Sequence, residues 1–219
     1  KHALRLGIQK ATGELVLTTD ADCRVRTNWI LAFAAFWKEN QALLVSGPVK
    51  MEGKDWFARA QAMEFASLVA SGAGAMASGK PTMANGANLG FSRKFYLESI
   101  QDHPLYHQSP SGDDIFLLHQ AKKKNASAIH FLKSPEAMVV TRPARNLKSF
   151  ISQRLRWASK AKFYTDKDTI FSALVVFFMN FSLVFTLAGA IFLPALGGFF
   201  LAAFLAKTIT DSIFLRDFA

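Results

Sequence analysis

The chain has 219 residues, enough for a domain with a sizeable core, and 51% of them are hydrophobic against 19% charged, which excludes a disordered tail. Residues 169–219 depart from that average: they hold 11 of the 21 Phe, and their charges, Lys207, Asp211, Arg216 and Asp217, cancel. The net charge of +10 therefore belongs to residues 1–168, with 12 Lys or Arg against 3 acids between His119 and Asp168. A single Cys, Cys23, excludes an intramolecular disulfide framework and suits a reducing compartment.

Residues 1–11 read as a helix with Ala3, Leu4, Ile8 and Ala11 on one face, and no charged-then-apolar leader precedes it. With no strand before that helix, the chain is expected to be a fragment that enters its fold part-way. Glu14 to Asp20 is a short β-rich run, Asn28 to Asn40 an amphipathic helix, and Leu43 to Val49 a strand. This alternation predicts an α/β fold with a parallel or mixed sheet, whose functional groups gather beyond the carboxyl ends of strands. Asp20 and Asp22 stand at such an end.

Asp55 to Ala77 is amphipathic and rich in small residues, with Trp56, Phe57, Met63, Phe65 and Leu68 as bulky anchors. A loop over Ser78–Asn85 leads to a strand over Ala87–Ser92 and a short helix from Lys94. Asp102–Gly112 reads as loop, Asp113–Lys124 as helix, and Ser127–Leu132 and Ala137–Thr141 as strands. Asn146 is positioned to cap a basic helix running to about Tyr164.

Ile170 to Ala206 is 37 residues without a charge. As one helix it would be about 55 Å long, well beyond a hydrocarbon core of about 30 Å, so it must fold back. Pro194, Gly197 and Gly198 supply the break, giving transmembrane spans near 170–192 and 196–214. The expected organisation is a catalytic domain over 1–168 and a membrane hairpin over 169–219. The basic run before Ile170, with Arg216 after the second span, predicts cytosolic flanks, an external turn at Leu193–Gly198 and an integral protein of the inner or plasma membrane.

Three short motifs carry chemistry. Thr18-Thr-Asp-Ala-Asp22 places two carboxylates just past a strand, where both can approach one divalent cation bridging nucleotide phosphates. It is no calcium loop, because the sixth and twelfth positions hold Val25 and Leu31 in place of Gly and Glu. Arg24 stands where a haloacid-dehalogenase-type phosphotransferase would carry a small β-branched residue. Ser111-Gly-Asp-Asp114 opens a helix, where one acid can cap and a second is left to act as a general base. Gln153-Arg-Leu-Arg-Trp157 sets an amide, a bidentate cation and an indole within five residues, suited to diphosphate oxygens and a sugar face. Gly74 to Lys80 has Walker A spacing, but Pro81 replaces the magnesium-binding hydroxyl and the stretch follows a helical pattern.

In this order the motifs resemble the family-two glycosyltransferases of GT-A fold, in their membrane-bound branch of cellulose, chitin and hyaluronan synthases. The resemblance covers about residues 1–168. It implies that Asp20 and Asp22 hold Mg2+ or Mn2+ and the nucleotide diphosphate. The family's Glu-Asp pair is matched by Asp113-Asp114, which places Asp114 as catalytic base. Gln153 and Arg156 fall beside the diphosphate, Trp157 beside the acceptor, and Asn85, Gly86 and Asn88 in a segment similar to the family's acceptor side. The family's opening strand, which holds much of the nucleoside, would precede Lys1.

These residues imply inverting transfer from a nucleotide-sugar, a UDP-sugar, to a lipid-linked or glycan acceptor, since direct displacement needs one base and no second carboxylate is placed as nucleophile. One rival is a membrane-anchored basic module for anionic lipid or nucleic acid. Nucleic acid is disfavoured, because aromatic interleaving is sparse over residues 119–168. A second rival is a lipid-phosphate sugar transferase, separable by product linkage.

Overall fold

The computed structural model describes residues 2–101 and 112–218, so the expected Asp102–Gly112 loop lies outside the described residues except for Gly112. The chain divides into two compact units, Lys1–Asp166 and Lys167–Ala219.

The first unit begins with α1 (His2–Lys10), β1 (Leu15–Thr18), β2 (Arg24–Val25), α2 (Trp29–Asn40), β3 (Leu44–Ser46), β4 (Val49–Met51) and α3 (Trp56–Ala77). It continues through β5 (Leu89–Ser92), α4 (Arg93–Gln101), α5 (Asp113–Asn125), β6 (Ile129–Phe131), β7 (Val139–Thr141) and α6 (Leu147–Ala158). One sheet has the order β1-β5-β3-β6 and the other β2-β7-β4. The pairs β3–β6 and β4–β7 are parallel and the rest antiparallel, which makes the architecture mixed α/β as expected.

Successive strand residues face opposite ways, so the central β3 feeds two cores. Leu44 joins Phe91, Tyr96, Leu117 and Leu118 on one side, and Val45 joins Phe33, Phe65 and Val139 on the other. Gly90, opposite Val45, leaves the space that Phe33 fills: a Cβ there would come within 2.9 Å of the Phe33 ring.

The expected single strand over Leu43–Val49 is two strands in two sheets. The break falls at Gly47-Pro48, because Pro48 has no N–H for a ladder and Gly47 passes under the Asn88 amide. A Cβ on Gly47 would lie 2.5 Å from Asn88 Nδ2. β1 continues into β2, and β6 into β7, across the same seam.

Asp55 caps α3 by accepting from Ala58 N at 2.8 Å, and Asn146 closes a capping box with Ser149 on α6. On α3, Phe65 is buried, whereas Trp56 and Met63, expected as anchors, are exposed. Gly74 ends in the last turns of this helix rather than after a strand, so Lys80 has no phosphate-cradle context. The expected basic helix to Tyr164 stops at Ala158; a 3-10 turn over Ala161–Phe163 follows and sends Phe163 and Tyr164 onto α5.

The second unit is α7 (Lys167–Gly189) followed by α8 (Pro194–Phe218). Both are long and apolar enough to cross a membrane, and almost none of their apolar stretches is buried, unlike core helices of a soluble domain. Phe177, Phe181 and Phe185 stack at successive four-residue steps and remain exposed. The break expected at Pro194, Gly197 and Gly198 falls just before Pro194, the first residue of α8, where its missing N–H costs nothing, and the two glycines lie inside the helix. The first helix ends at Gly189, three residues before the expected 192.

Candidate active site

A cavity of about 690 Å3 opens beyond the end of β1. Asp20, Asn85, Gly86, Asp113, Asp114, Gln153, Arg156 and Trp157 line it, together with Lys160 and Tyr164. Asp22 stands beside it, and Asn88 takes no part in it.

β1 ends at Thr18, whose hydroxyl donates to Gly86 O at 2.9 Å and fixes the exit of the strand. Cys23 N then donates to Asp20 O at 3.0 Å, a turn that folds Asp22 and Cys23 back toward Asp20. One ligand atom from each of Asp20, Asp22 and Cys23 lies within 4.8 Å of the others. Burial, followed by the charges of Asp22 and Asp114, raises the Asp20 carboxyl above its usual range, and Arg156 and Lys160 oppose the rise. Burial likewise raises the Cys23 thiol, which therefore stays protonated at neutral pH. The donor set, two hard oxygens that repel one another, fits a divalent cation such as Mg2+ or Mn2+.

Asp113 and Asp114 begin α5 after Gly112, which holds the cap position at φ 99°, a left-handed conformation that favours glycine. Gly112 has no side chain to cap the helix, and an acid of the first turn takes up one of its free N–H groups. Asp114 Oδ1 accepts from Ile115 N at 2.9 Å, and Oδ2 accepts from Gly86 N at 3.3 Å. Asn85 shapes the same loop by accepting from Ala87 N at 3.0 Å.

Gln153, Arg156 and Trp157 come from α6, which is anchored on α3 by two polar clamps. Gln61, buried, donates to Ala144 O at 3.1 Å and accepts from Ala144 N at 2.9 Å. Arg154 forks onto both oxygens of Glu64 and donates to Gln153 Oε1 at 2.6 Å. Its guanidinium lies 4.4 Å from the Phe150 ring centre and 4.3 Å from that of Trp157. The indole thus carries Arg154 and Phe65 as neighbours and presents its remaining surface to the cavity, while Arg156 is exposed there.

Asn88 requires a correction. It is fully buried: its Nδ2 donates to Pro48 O at 2.8 Å and Ala137 O at 2.7 Å, and its Oδ1 accepts from Trp29 Nε1 at 2.9 Å. Every amide hydrogen is committed, so the side chain staples the two sheets and contacts no substrate.

Sequence reasoning left out Cys23 as a neighbour of the carboxylates, and also Lys160, Tyr164 and Arg154. Lys160 alone carried a signal, since it falls four residues after Arg156 and so on the same side of a helix. The others depend on turns and long-range pairing that no local pattern encodes.

An α/β unit with a carboxylate pair beyond a strand end, facing a second acid and a cation–indole helix across one cavity, is the arrangement of an enzyme acting on a phosphorylated donor. The glycosyl transferase family group 2 model matches residues 15–215, and the chain belongs to that family. No curated protein sequence matches the chain.

Proposed function

We propose that the chain is an inverting glycosyltransferase that moves a sugar from a nucleotide-sugar, a UDP-sugar, to a hydroxyl of a lipid-linked or polysaccharide acceptor at the cytosolic face of a membrane. The observation that carries this reading is the meeting of Asp20, Asp114, Gln153, Arg156 and Trp157 in one cavity. Asp20 and Asp22 would hold Mg2+ or Mn2+, which when bound offsets negative charge on the diphosphate.

The chain's own residues carry the remaining steps. Arg156 faces the leaving diphosphate from the exposed side of α6 and favours its developing charge. Gln153, oriented by Arg154, offers amide donors in the same wall. Asp114 takes the proton of the acceptor hydroxyl as its oxygen attacks the anomeric carbon, and the bond to the diphosphate breaks on the opposite face. Trp157 gives the acceptor sugar an apolar ring face, and α7 and α8 hold the enzyme at the bilayer.

The test is nucleotide-sugar turnover by the full chain in lipid, over a panel of uridine, guanosine and adenosine donors with Mg2+ or Mn2+. Release of a nucleoside diphosphate that a chelator abolishes and Asp114→Asn suppresses is the expected result. Absence of release from every donor, with acceptor lipids supplied, rejects the proposal.

A further inference from the structure

The chain leaving α6 runs as a strap along α5. The Lys160 stem lies against Gly112, where a Cβ would meet its Cδ at 3.2 Å. Phe163 packs on Phe116 with ring centres 6.3 Å apart, and Tyr164 on His119 at 5.7 Å. Lys122 Nζ then meets Asp166 Oδ2 at 2.9 Å, both side chains largely buried. The contacts advance in step along the two segments, so Lys160 is held at the start of α5, beside Asp113 and Asp114.

Two neighbouring cations are neutralised: Arg154 by Glu64 and Lys122 by Asp166. Among the described residues, Lys160 and Arg156 make no ion pair, and both line the cavity. The charges of both reach Asp20 and oppose the rise of its carboxyl. Asp114 is bonded to two backbone N–H groups, so Lys160 is not needed as its partner. Two adjacent unpaired cations opposite a metal-ligating carboxylate pair suit an anion of more than one charge that also takes a metal. A single acceptor carboxylate would occupy only one of them.

We propose that Lys160 is a binding residue for the donor's diphosphate, gripping it together with Arg156. The inference rests on the glycosyl-transfer reading above and adds a residue to it. Lysine suits the task because its ammonium is a compact charge with three donors on a flexible stem, able to follow a phosphate oxygen. The backbone holds the stem in place: Lys160 N donates to Trp157 O at 3.2 Å, and Phe163 N donates to Lys160 O at 2.9 Å.

The test is calorimetric binding of UDP, GDP and ADP, each with Mn2+, to the full chain in detergent, with the corresponding nucleosides as controls. The parent should bind at least one diphosphate. Lys160→Met keeps the stem against Gly112 and should weaken that diphosphate by about ten- to a hundredfold, the usual scale of a charged hydrogen bond. Nucleoside affinity and thermal unfolding should stay at parent values, and Lys160→Arg should recover binding to within a few-fold. Diphosphate affinity of Lys160→Met within twofold of the parent overturns this proposal and leaves the transferase reading standing. A parent that binds no diphosphate overturns both.

Discussion

The Asp114 carboxylate accepts from the Gly86 N–H at 3.3 Å, and the Gly86 carbonyl accepts from the Thr18 hydroxyl at 2.9 Å. One peptide segment therefore ties the first turn of α5 to the end of β1, and so sets Asp114 relative to Asp20. Asp114→Asn keeps the shape and removes basicity. Sugar transfer should fall by about a hundred- to ten-thousandfold, the range of general-base catalysis, with diphosphate affinity and melting temperature near the parent. Steady-state transfer and calorimetry on the same preparation check this; a dead Asp113→Asn beside an active Asp114→Asn would move the base by one residue.

Asp20 carries a pH dependence whose sign follows from its environment. Burial and its acidic neighbours raise its pKa on folding, so the native state holds that proton more tightly than the unfolded chain does. Stability therefore falls as pH rises through the carboxylate range, and the deficit is fully present at neutral pH. Asp20→Asn should melt higher than the metal-free parent at pH 7, and the difference should vanish below about pH 3. Mn2+ should raise the melting temperature of the parent and leave that of Asp20→Asn unchanged.

Arg154 holds α6 by charge and by stacking at once. Arg154→Ala removes the fork to Glu64 and uncovers Phe150 and Trp157, a loss of about 1–3 kcal/mol for a partly buried pair with aromatic contacts. Chemical denaturation measures it. Glu64→Gln should lose less, because the guanidinium keeps both rings and an amide oxygen. Equal losses would mean that the ion pair carries the effect alone.

Asn88→Ala leaves Trp29 Nε1 and the Ala137 carbonyl without their buried partner, while the Pro48 carbonyl keeps the Val139 N–H at 3.0 Å. Each such group costs about 1–3 kcal/mol, so a loss of about 2 kcal/mol or more is expected, a large fraction of the stability of a marginal domain. Solubility and denaturation report it. Donor affinity of whatever folded fraction remains should match the parent; a selective loss of acceptor use in a fully stable variant would restore Asn88 to the substrate.

The turn between α7 and α8 should face away from the basic side of the membrane. In a Cys23→Ser background, a Cys at Ala195 should react with an impermeant thiol reagent on intact cells, and one at Ser127 only after lysis. The reverse pattern would invert the topology.

The helices were legible because they are long enough to show a period and carry caps: Asp55 and Asn146 mark their starts as the pattern predicts. Of the strands, β1, β5, β6 and β7 fall inside their expected runs, but β2 is two exposed residues and β3 and β4 share one apolar run divided only by Gly47-Pro48. At the site, residues inside compact motifs reach the cavity together. Asn88 misled because a buried polar side chain that satisfies backbone looks the same in sequence as one that awaits a ligand. Cys23 was overlooked because a turn without a local signature brings it in, and Lys160, although four residues after Arg156, because a strap beyond the end of α6 holds it at the site.

The seam at Gly47-Pro48 has a consequence for variation. Strands cross it at three places, and two of these crossings, after Thr18 and after Ser46, border the cavity. Both cores reach the cavity wall, with Phe91, Tyr96 and Leu117 from one and Phe65 from the other. A change of length at the Gly47 crossing would therefore disturb the core together with the pocket, since a Cβ on Gly47 would already lie 2.8 Å from the Phe33 ring. Changes in pocket size are expected to come from substitutions in the wall, at Phe65 or Leu117, more readily than from loop length.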